Sequence, residues 1–215
     1  MNDRLLRSAE LRSALTCYYV YGALHHPEYR AKYAENLKRE LPSIPLAKDF
    51  RAFAAAGKEL ARLHIDYESL EPYPLKYVEP CSGVVGASGA RPPAARVRSK
   101  AKAVRPQAER RSALQIPLSY GVEDKMRLAK DHRSLKVNPF LTLAGIPPEA
   151  FEYRLGNRSA LEWVIDQYQV TEDKRSGIRS DPNRADDPEY IVRLVGQVIQ
   201  VSLETVRIVK SLPAL

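Results

Sequence analysis

Residues 82–115 constrain this chain more than any other feature, because that stretch cannot contribute to a core. Gly83, Gly86 and Gly89 are followed by Pro92, Pro93 and Pro106 among many Ala, Arg and Lys, with almost no large apolar side chain. Such a composition buries too little surface to offset the entropy of ordering, so residues 80–116 are expected to form a disordered basic insertion. Folding then falls to the two flanking regions, 1–79 and 117–215. Across 215 residues, 44% are hydrophobic and 28% charged, which is enough apolar material for one or two compact domains.

The same stretch decides how the formal net charge of +8 is read. It contains Arg91, Arg96, Arg98, Lys100, Lys102, Arg105, Arg110 and Arg111, opposed only by Glu109. Seven of the eight net positive charges therefore belong to the insertion, and the remainder is close to neutral. Net basicity invites a nucleic-acid reading, but here it describes a linker rather than a folded surface. No run of about 18 apolar residues is present, so no membrane span is expected. The start, Met1-Asn2-Asp3-Arg4-Leu5-Leu6-Arg7, lacks the apolar stretch of a signal peptide. Cys17 and Cys81 are too few and too far apart for a disulfide framework or a zinc site. A reducing cytoplasm is the expected location.

Residues 1–79 read as a helical segment. Leu5, Leu6, Leu11, Leu15, Tyr18, Tyr19 and Leu24 fall at spacings compatible with one apolar face over Asn2 to Leu24. His25-His26-Pro27 breaks that run, and Pro27 suits the first turn of a second helix reaching about Leu41, closed by Pro42 and Pro45. A third helix is expected from about Ala47 to Leu70, presenting Phe50, Phe53, Ala54, Leu60, Leu63 and His64.

Residues 117–215 read as a small mixed α/β (α+β) unit ending in a long helix. Lys125–Leu128, Ser134–Val137 and Phe140–Ala144 suit strands, Gly145-Ile146-Pro147-Pro148 a turn, and Phe151–Leu155 another strand before Gly156-Asn157. Ser159-Ala160-Leu161-Glu162 is a capping box, in which hydroxyl and carboxylate reciprocally satisfy open N–H groups. Its helix carries Leu161, Val164, Ile165 and Tyr168 on one face. Asp187-Pro188 is expected to cap and begin the last helix, striped by Ile191, Leu194, Val195, Val198, Ser202, Thr205 and Val209 and stopped at Pro213.

Familiar catalytic signatures are absent. The glycines at 83, 86 and 89 have neither the spacing nor the following Lys-Ser/Thr of a phosphate-binding loop. Asn138-Pro139-Phe140 partly echoes the loop with which amino-methyltransferases hold a flipped base, yet it lacks the second Pro and reads as a turn between strands. His25 and His26 point about 100° apart on a helix, and no H-x-x-x-H spacing or carboxylate cluster supports a metal site. His64 on an apolar helix face reads as a satisfied core or rim histidine. No nucleophile elbow is present.

Basic residues interleaved with turns carry more information. Lys125, Arg127, Lys130, Arg133 and Lys136 lie on or between expected strands. Arg154, Asn157 and Arg158 cluster at a turn ahead of a helix, and Lys174, Arg175 and Arg179 occupy a polar loop with Gly177. Arg and Asn can read guanine and adenine edges bidentately, whereas Lys and Arg hold phosphates. Acids stand beside each group: Glu123, Asp124, Asp131, Glu172 and Asp173. A solvated surface is the competing reading.

Longer stretches carry a family resemblance. Tyr19-Val20-Tyr21-Gly22-Ala23-Leu24-His25-His26-Pro27-Glu28-Tyr29-Arg30, then Tyr33-Ala34-Glu35-Asn36-Leu37-Lys38 and Pro42-Ser43-Ile44-Pro45, resemble the start of the C-terminal specificity region of type ISP restriction–modification enzymes. Leu141-Thr142-Leu143-Ala144-Gly145-Ile146-Pro147, Tyr153, Ser159-Ala160-Leu161-Glu162-Trp163-Val164, Asp166 and Tyr168-Gln169-Val170 continue it. So do Asp173-Lys174, Ser176-Gly177-Ile178, Asp181-Pro182-Asn183 and Val201-Ser202-Leu203-Glu204-Thr205-Val206. The resemblance covers most of 15–80 and 117–213, and the segment from about Ser82 to Gln115 has no counterpart in it.

Enzymes of this family resemble fusions of a nuclease, an ATP-driven translocase, an N6-adenine methyltransferase and a target recognition domain. The resemblance implies that residues 1–79 connect methyltransferase to recognition domain and that residues 117–215 read double-stranded DNA. It implies a fragment, split subunit or remnant with no catalysis of its own. S-adenosylmethionine, ATP and Mg²⁺ would belong to other domains, and a separate methyltransferase–translocase polypeptide is an expected partner. Residue type and loop position, rather than the family, nominate Lys125, Arg127, Lys130 and Lys136 for phosphates and Arg154, Asn157, Arg158, Lys174 and Arg175 for the DNA-reading face. Tyr153, Trp163 and Tyr168 are expected to pack or position rather than stack on bases, with Trp163 covering a neighbouring element. Two rivals stand beside this reading: a helical docking module, and non-specific binding driven by the basic insertion alone.

Overall fold

The computed structural model describes residues 2–78 and 120–215, with side chains from Arg12 onward. The basic insertion lies outside the described residues. No described helix is long and apolar enough to cross a membrane.

Helix α1 (Asn2–His25) and helix α3 (Phe50–Ile65) meet through Tyr19 and Ala23 on one side and Phe53, Ala54 and Gly57 on the other. The Asp49 carboxylate caps α3 by accepting the Ala52 N–H at 3.0 Å, which supplies one of the acceptors that helix N-termini lack. Helix α2 (Pro27–Lys32) begins on Pro27 as the spacing predicts. It stops well short of Leu41: the chain leaves helical geometry at Tyr33, and only a 3₁₀ turn, Asn36–Lys38, follows. Tyr29 explains the early stop. Its ring is buried and its hydroxyl donates a hydrogen bond to the Ser43 carbonyl at 2.9 Å, so the chain doubles back over it instead of running on.

Helix α3 is likewise shorter than its apolar spacing suggests. Beyond Ile65, a 3₁₀ turn at Tyr67–Ser69 starts a strap across the last helix, α5 (Tyr190–Lys210). The buried Gln197 side chain donates to the Glu68 and Leu70 carbonyls at 2.6 and 3.1 Å, and the Tyr73 N–H donates to the Gly196 carbonyl at 3.1 Å. The strap delivers strand β1 (Lys76–Val78), absent from the helical reading of residues 1–79, to the edge of a sheet.

That sheet is antiparallel and ordered β1-β4-β3-β2, with β2 at Arg127–Leu128, β3 at Ser134–Asn138 and β4 at Leu141–Ala144. Leu135, Val137, Leu141 and Leu143 turn to one face, the period-two pattern of a half-buried sheet. Helix α5 covers that face with Ile191, Leu194, Val195 and Ile199, and helix α4 (Ala160–Gln167) adds Leu161 and Ile165. Burial of this cluster is the main source of stability, at about 25 cal/mol per Å² of apolar surface removed from water. Two-residue ladders complete the fold: β5 (Arg154–Leu155) with β6 (Arg158–Ser159), and β7 (Thr171–Glu172) with β8 (Arg179–Ser180). The mixed α/β class with a long closing helix is as the sequence predicts.

Three local expectations differ. Of Lys125–Leu128 only Arg127–Leu128 is extended, because β3 pairs with those two residues alone. Phe151 belongs to a 3₁₀ turn, Pro148–Phe151, and only Arg154–Leu155 of that stretch is extended. Asp187 does not cap α5, which starts at Tyr190. Its carboxylate instead takes both guanidinium nitrogens of Arg193 one turn into the helix, and that stronger charge-assisted pairing displaces the cap.

Candidate nucleic-acid interface

The nominated cations separate into three places. Lys125, Arg127 and Lys136 share the β2–β3 side of the sheet, where Arg127 stands directly opposite Lys136. With Glu123, Asp124, Val137, Asn138 and Pro139 they line a recess of ≈ 250 Å³. Arg127 approaches Asp124 at 3.7 Å, and both side chains remain largely exposed. Lys130 occupies the exposed turn between β2 and β3. Asn138 is buried within the β3–β4 hairpin, donating to the Gly121 carbonyl and accepting the Phe140 N–H at 2.7 and 2.8 Å. That is the turn role its sequence context suggests.

Arg154, Asn157 and Arg158 are neighbours in sequence, but they do not act on one surface. The β5–β6 ladder pairs Arg154 with Ser159 and Leu155 with Arg158, so successive side chains alternate and the two arginines point to opposite faces. Gly156 closes the turn at φ +71°, a left-handed conformation that glycine adopts without the Cβ strain most residues meet. On one side, Arg154 and Asn157 border a groove of ≈ 970 Å³ between α2, the hairpin and the end of α5. Pro27, Ala31, Leu37, Val206 and Val209 form its apolar floor, and Arg30, Lys38 and Lys210 join Arg154 at its edge. Arg30 donates to the Arg154 carbonyl at 2.7 Å, and Lys210 pairs with Glu152 at 2.7 Å. Arg30, Lys38 and Lys210 come from segments distant in sequence from the hairpin, so no local pattern links them to Arg154.

On the other side, Arg158 Nη1 meets Asp166 Oδ2 at 2.8 Å, and Lys125 Nζ meets Asp166 Oδ1 at 3.0 Å. This joins Arg158 to the β2–β3 cations. The Arg158 guanidinium lies 5.4 Å from the Trp163 ring centroid, and the Trp163 Nε1–H donates to the Leu155 carbonyl at 3.0 Å. Trp163 thus covers the adjoining hairpin, as its off-stripe position predicts. The paired cations hold the Asp166 carboxyl below the usual carboxylate range. Glu162 is depressed for a different reason: the capping-box N–H and hydroxyl of Ser159 stabilise its anion. Lys174 and Arg175 stand at the exposed tip of the β7–β8 hairpin, near Gly177 at φ +68°.

Tyr153 packs inward. Its ring stacks on His64 at 5.4 Å, with Tyr21 and His25 completing the cluster, and burial pushes its hydroxyl up to about 12. Among the described residues, no group of three or more His, Cys, Asp or Glu side chains is placed to hold a metal ion.

Three solved structures are similar to this chain in fold. A nuclease-deletion mutant of the Type ISP restriction–modification enzyme LlaGI, in complex with a DNA substrate mimic, is 33% identical with a TM-score of 0.69. The match covers 93% of this chain and 14% of that one. The ATP-dependent Type ISP enzyme LlaBIII bound to DNA is 33% identical with a TM-score of 0.69 over 92% of this chain and 11% of its own. A DrdV–DNA complex is 38% identical with a TM-score of 0.66, covering 94% of this chain and 18% of that one. The chain therefore spans less than a fifth of the length of these relatives. No curated protein matches it. From residue 5 to residue 194 the sequence matches the family described as the Type ISP C-terminal specificity domain, and the chain belongs to that family.

Proposed function

We propose that this chain is the target-reading part of a restriction–modification enzyme, binding double-stranded DNA sequence-specifically and performing no chemistry by itself. The observation that carries the reading is the likeness, over more than nine-tenths of the chain, to three proteins solved with DNA or a DNA mimic, two of them Type ISP restriction–modification enzymes. Lys125, Arg127, Lys130 and Lys136 hold phosphates along the β2–β3 side. Arg158 and the Lys174–Arg175 tip approach base edges, and Arg154 and Asn157 act from the far side of the hairpin. S-adenosylmethionine, ATP and Mg²⁺ belong to other domains of such an enzyme, and a methyltransferase–translocase polypeptide is the protein partner. Its seat is the apolar floor of the groove beside α2 and α5, formed by Pro27, Ala31, Leu37, Val206 and Val209, which leaves Arg154 and Asn157 at the rim for DNA. The site of action is the cytoplasm.

Fluorescence anisotropy of labelled duplexes, with the full chain and with a form lacking residues 82–115 across a salt series, tests the reading. Binding that survives the deletion and prefers some sequences at higher salt supports a recognition domain. Binding that vanishes with the insertion rejects it in favour of the docking module.

A further inference from the structure

We infer that Asp166 is a specificity-determining residue of the DNA-facing surface, a carboxylate that joins Lys125 to Arg158 and weakens the phosphate attraction of both, so that neither binds every sequence at full strength. The inference rests on the proposed DNA-reading function. Three elements converge on this one side chain: the loop before β2 brings Lys125, β6 brings Arg158 and α4 brings Asp166. Each carboxylate oxygen serves a different cation, at 3.0 and 2.8 Å. Lys125, Arg158 and Asp166 line a second recess together with Glu162, whose carboxylate is already engaged in the capping box.

The arrangement treats the two cations differently. Lys125 is held only through its ammonium, a compact charge on a flexible stem. Arg158 is fixed through Nη1 by Asp166 and lies over the Trp163 ring, which Leu155 anchors in turn. One guanidinium edge is therefore committed, while the rest of the fork keeps a set direction and can meet the O6 and N7 acceptors of a guanine without breaking the Asp166 pair. A phosphate gains full charge from either cation only by displacing the carboxylate. Because these side chains are about two-fifths exposed, that displacement is accessible but carries an opposing cost at every sequence. The cost weakens random binding more than binding at a sequence that satisfies Arg158 directly.

The experiment selects a preferred duplex from a random library with the wild-type full chain. Anisotropy then measures that duplex and a shuffled one against wild type, Asp166→Asn and Asp166→Asn/Lys125→Met. Asp166→Asn is expected to raise affinity for the shuffled duplex roughly threefold or more and to steepen the salt dependence by about one released counterion. Discrimination between the two duplexes falls, Lys125→Met reverses the gain, and the melting temperature stays in place. Unchanged discrimination and salt slope in Asp166→Asn overturn the inference alone. Equal loss of binding to both duplexes also overturns it, by making Asp166 a structural support. If the wild-type chain selects no preferred duplex, the recognition reading itself fails and the inference falls with it.

Discussion

His64 sits between Tyr21, whose hydroxyl lies 2.6 Å from Nδ1, and Thr205, whose Oγ1 lies 2.9 Å from Nε2. A neutral imidazole satisfies both, donating through one ring nitrogen and accepting through the other. Burial, with His25 close by, lowers its pKa from 6.5 to about 4. Between those values the unfolded chain binds a proton that the folded chain refuses, so stability falls as the pH drops through that window. Chemical denaturation from pH 7 to 4.5 is expected to show this loss, and His64→Gln, which cannot titrate, to flatten it. Asn183 shows a role that residue type alone does not reveal. Its amide accepts the Val122 N–H and donates to the Val122 carbonyl, both at 2.8 Å, completing the pairing of a buried backbone unit as a neighbouring strand would. Asn183→Ala leaves both groups unpaired and is expected to cost about 1–3 kcal/mol in urea unfolding. The sequence marks His64 as a satisfied rim histidine through its apolar helix face. It offers no sign of Asn183, because the partner lies far away along the chain.

At the scale of elements, the α1–α3 crossing depends on two glycines that let the backbones touch. A Cβ on Gly57 would come within 1.8 Å of the Tyr18 carbonyl oxygen, and one on Gly22 within 2.5 Å of that of Phe53. Both obstacles are backbone, which cannot rotate aside. Gly57→Ala is expected to push the helices apart at a cost on the order of 1–3 kcal/mol or more, despite the better helix propensity of alanine. Differential scanning calorimetry should record a melting temperature lower by roughly 2–10 °C. Elements governed by local chemistry were legible in the sequence: the Ser159–Glu162 capping box, Pro27 opening α2, and the alternation in β3 and β4. Elements governed by distant partners were not. Strand β1 carries no core-facing pattern because all three of its residues are exposed, and its identity comes from hydrogen bonds to β4. Helix α2 ends where Tyr29 reaches Ser43, and α5 starts late because Asp187 is drawn to Arg193. The same limit applied to the candidate site: Arg154 and Arg158 are four residues apart, yet strand alternation sends them to opposite faces.

For the whole molecule, the two halves flanking the basic insertion are not independent bodies. Residues 66–75 lie across α5, β1 joins the sheet, and Leu60 and Leu63 of α3 pack with Ile208. The described chain leaves at Val78 and resumes at Tyr120, and the Tyr77 and Tyr120 rings lie 6.3 Å apart. Seven residues, 79–81 and 116–119, are ample to join two points so close. Deleting residues 82–115 is therefore expected to leave one cooperative unfolding transition, with stability unchanged or raised on the order of 1 kcal/mol by the shorter loop closure. The deletion also removes seven of the eight net positive charges, which makes it a separation of charge from shape. If the insertion supplies only non-specific attraction, the shortened chain loses affinity for shuffled duplexes and shows a shallower salt dependence while its preference among sequences persists. A second transition on heating would mean that the halves fold separately. Retained folding with lost preference would place sequence reading in the insertion rather than on the β2–β3 side.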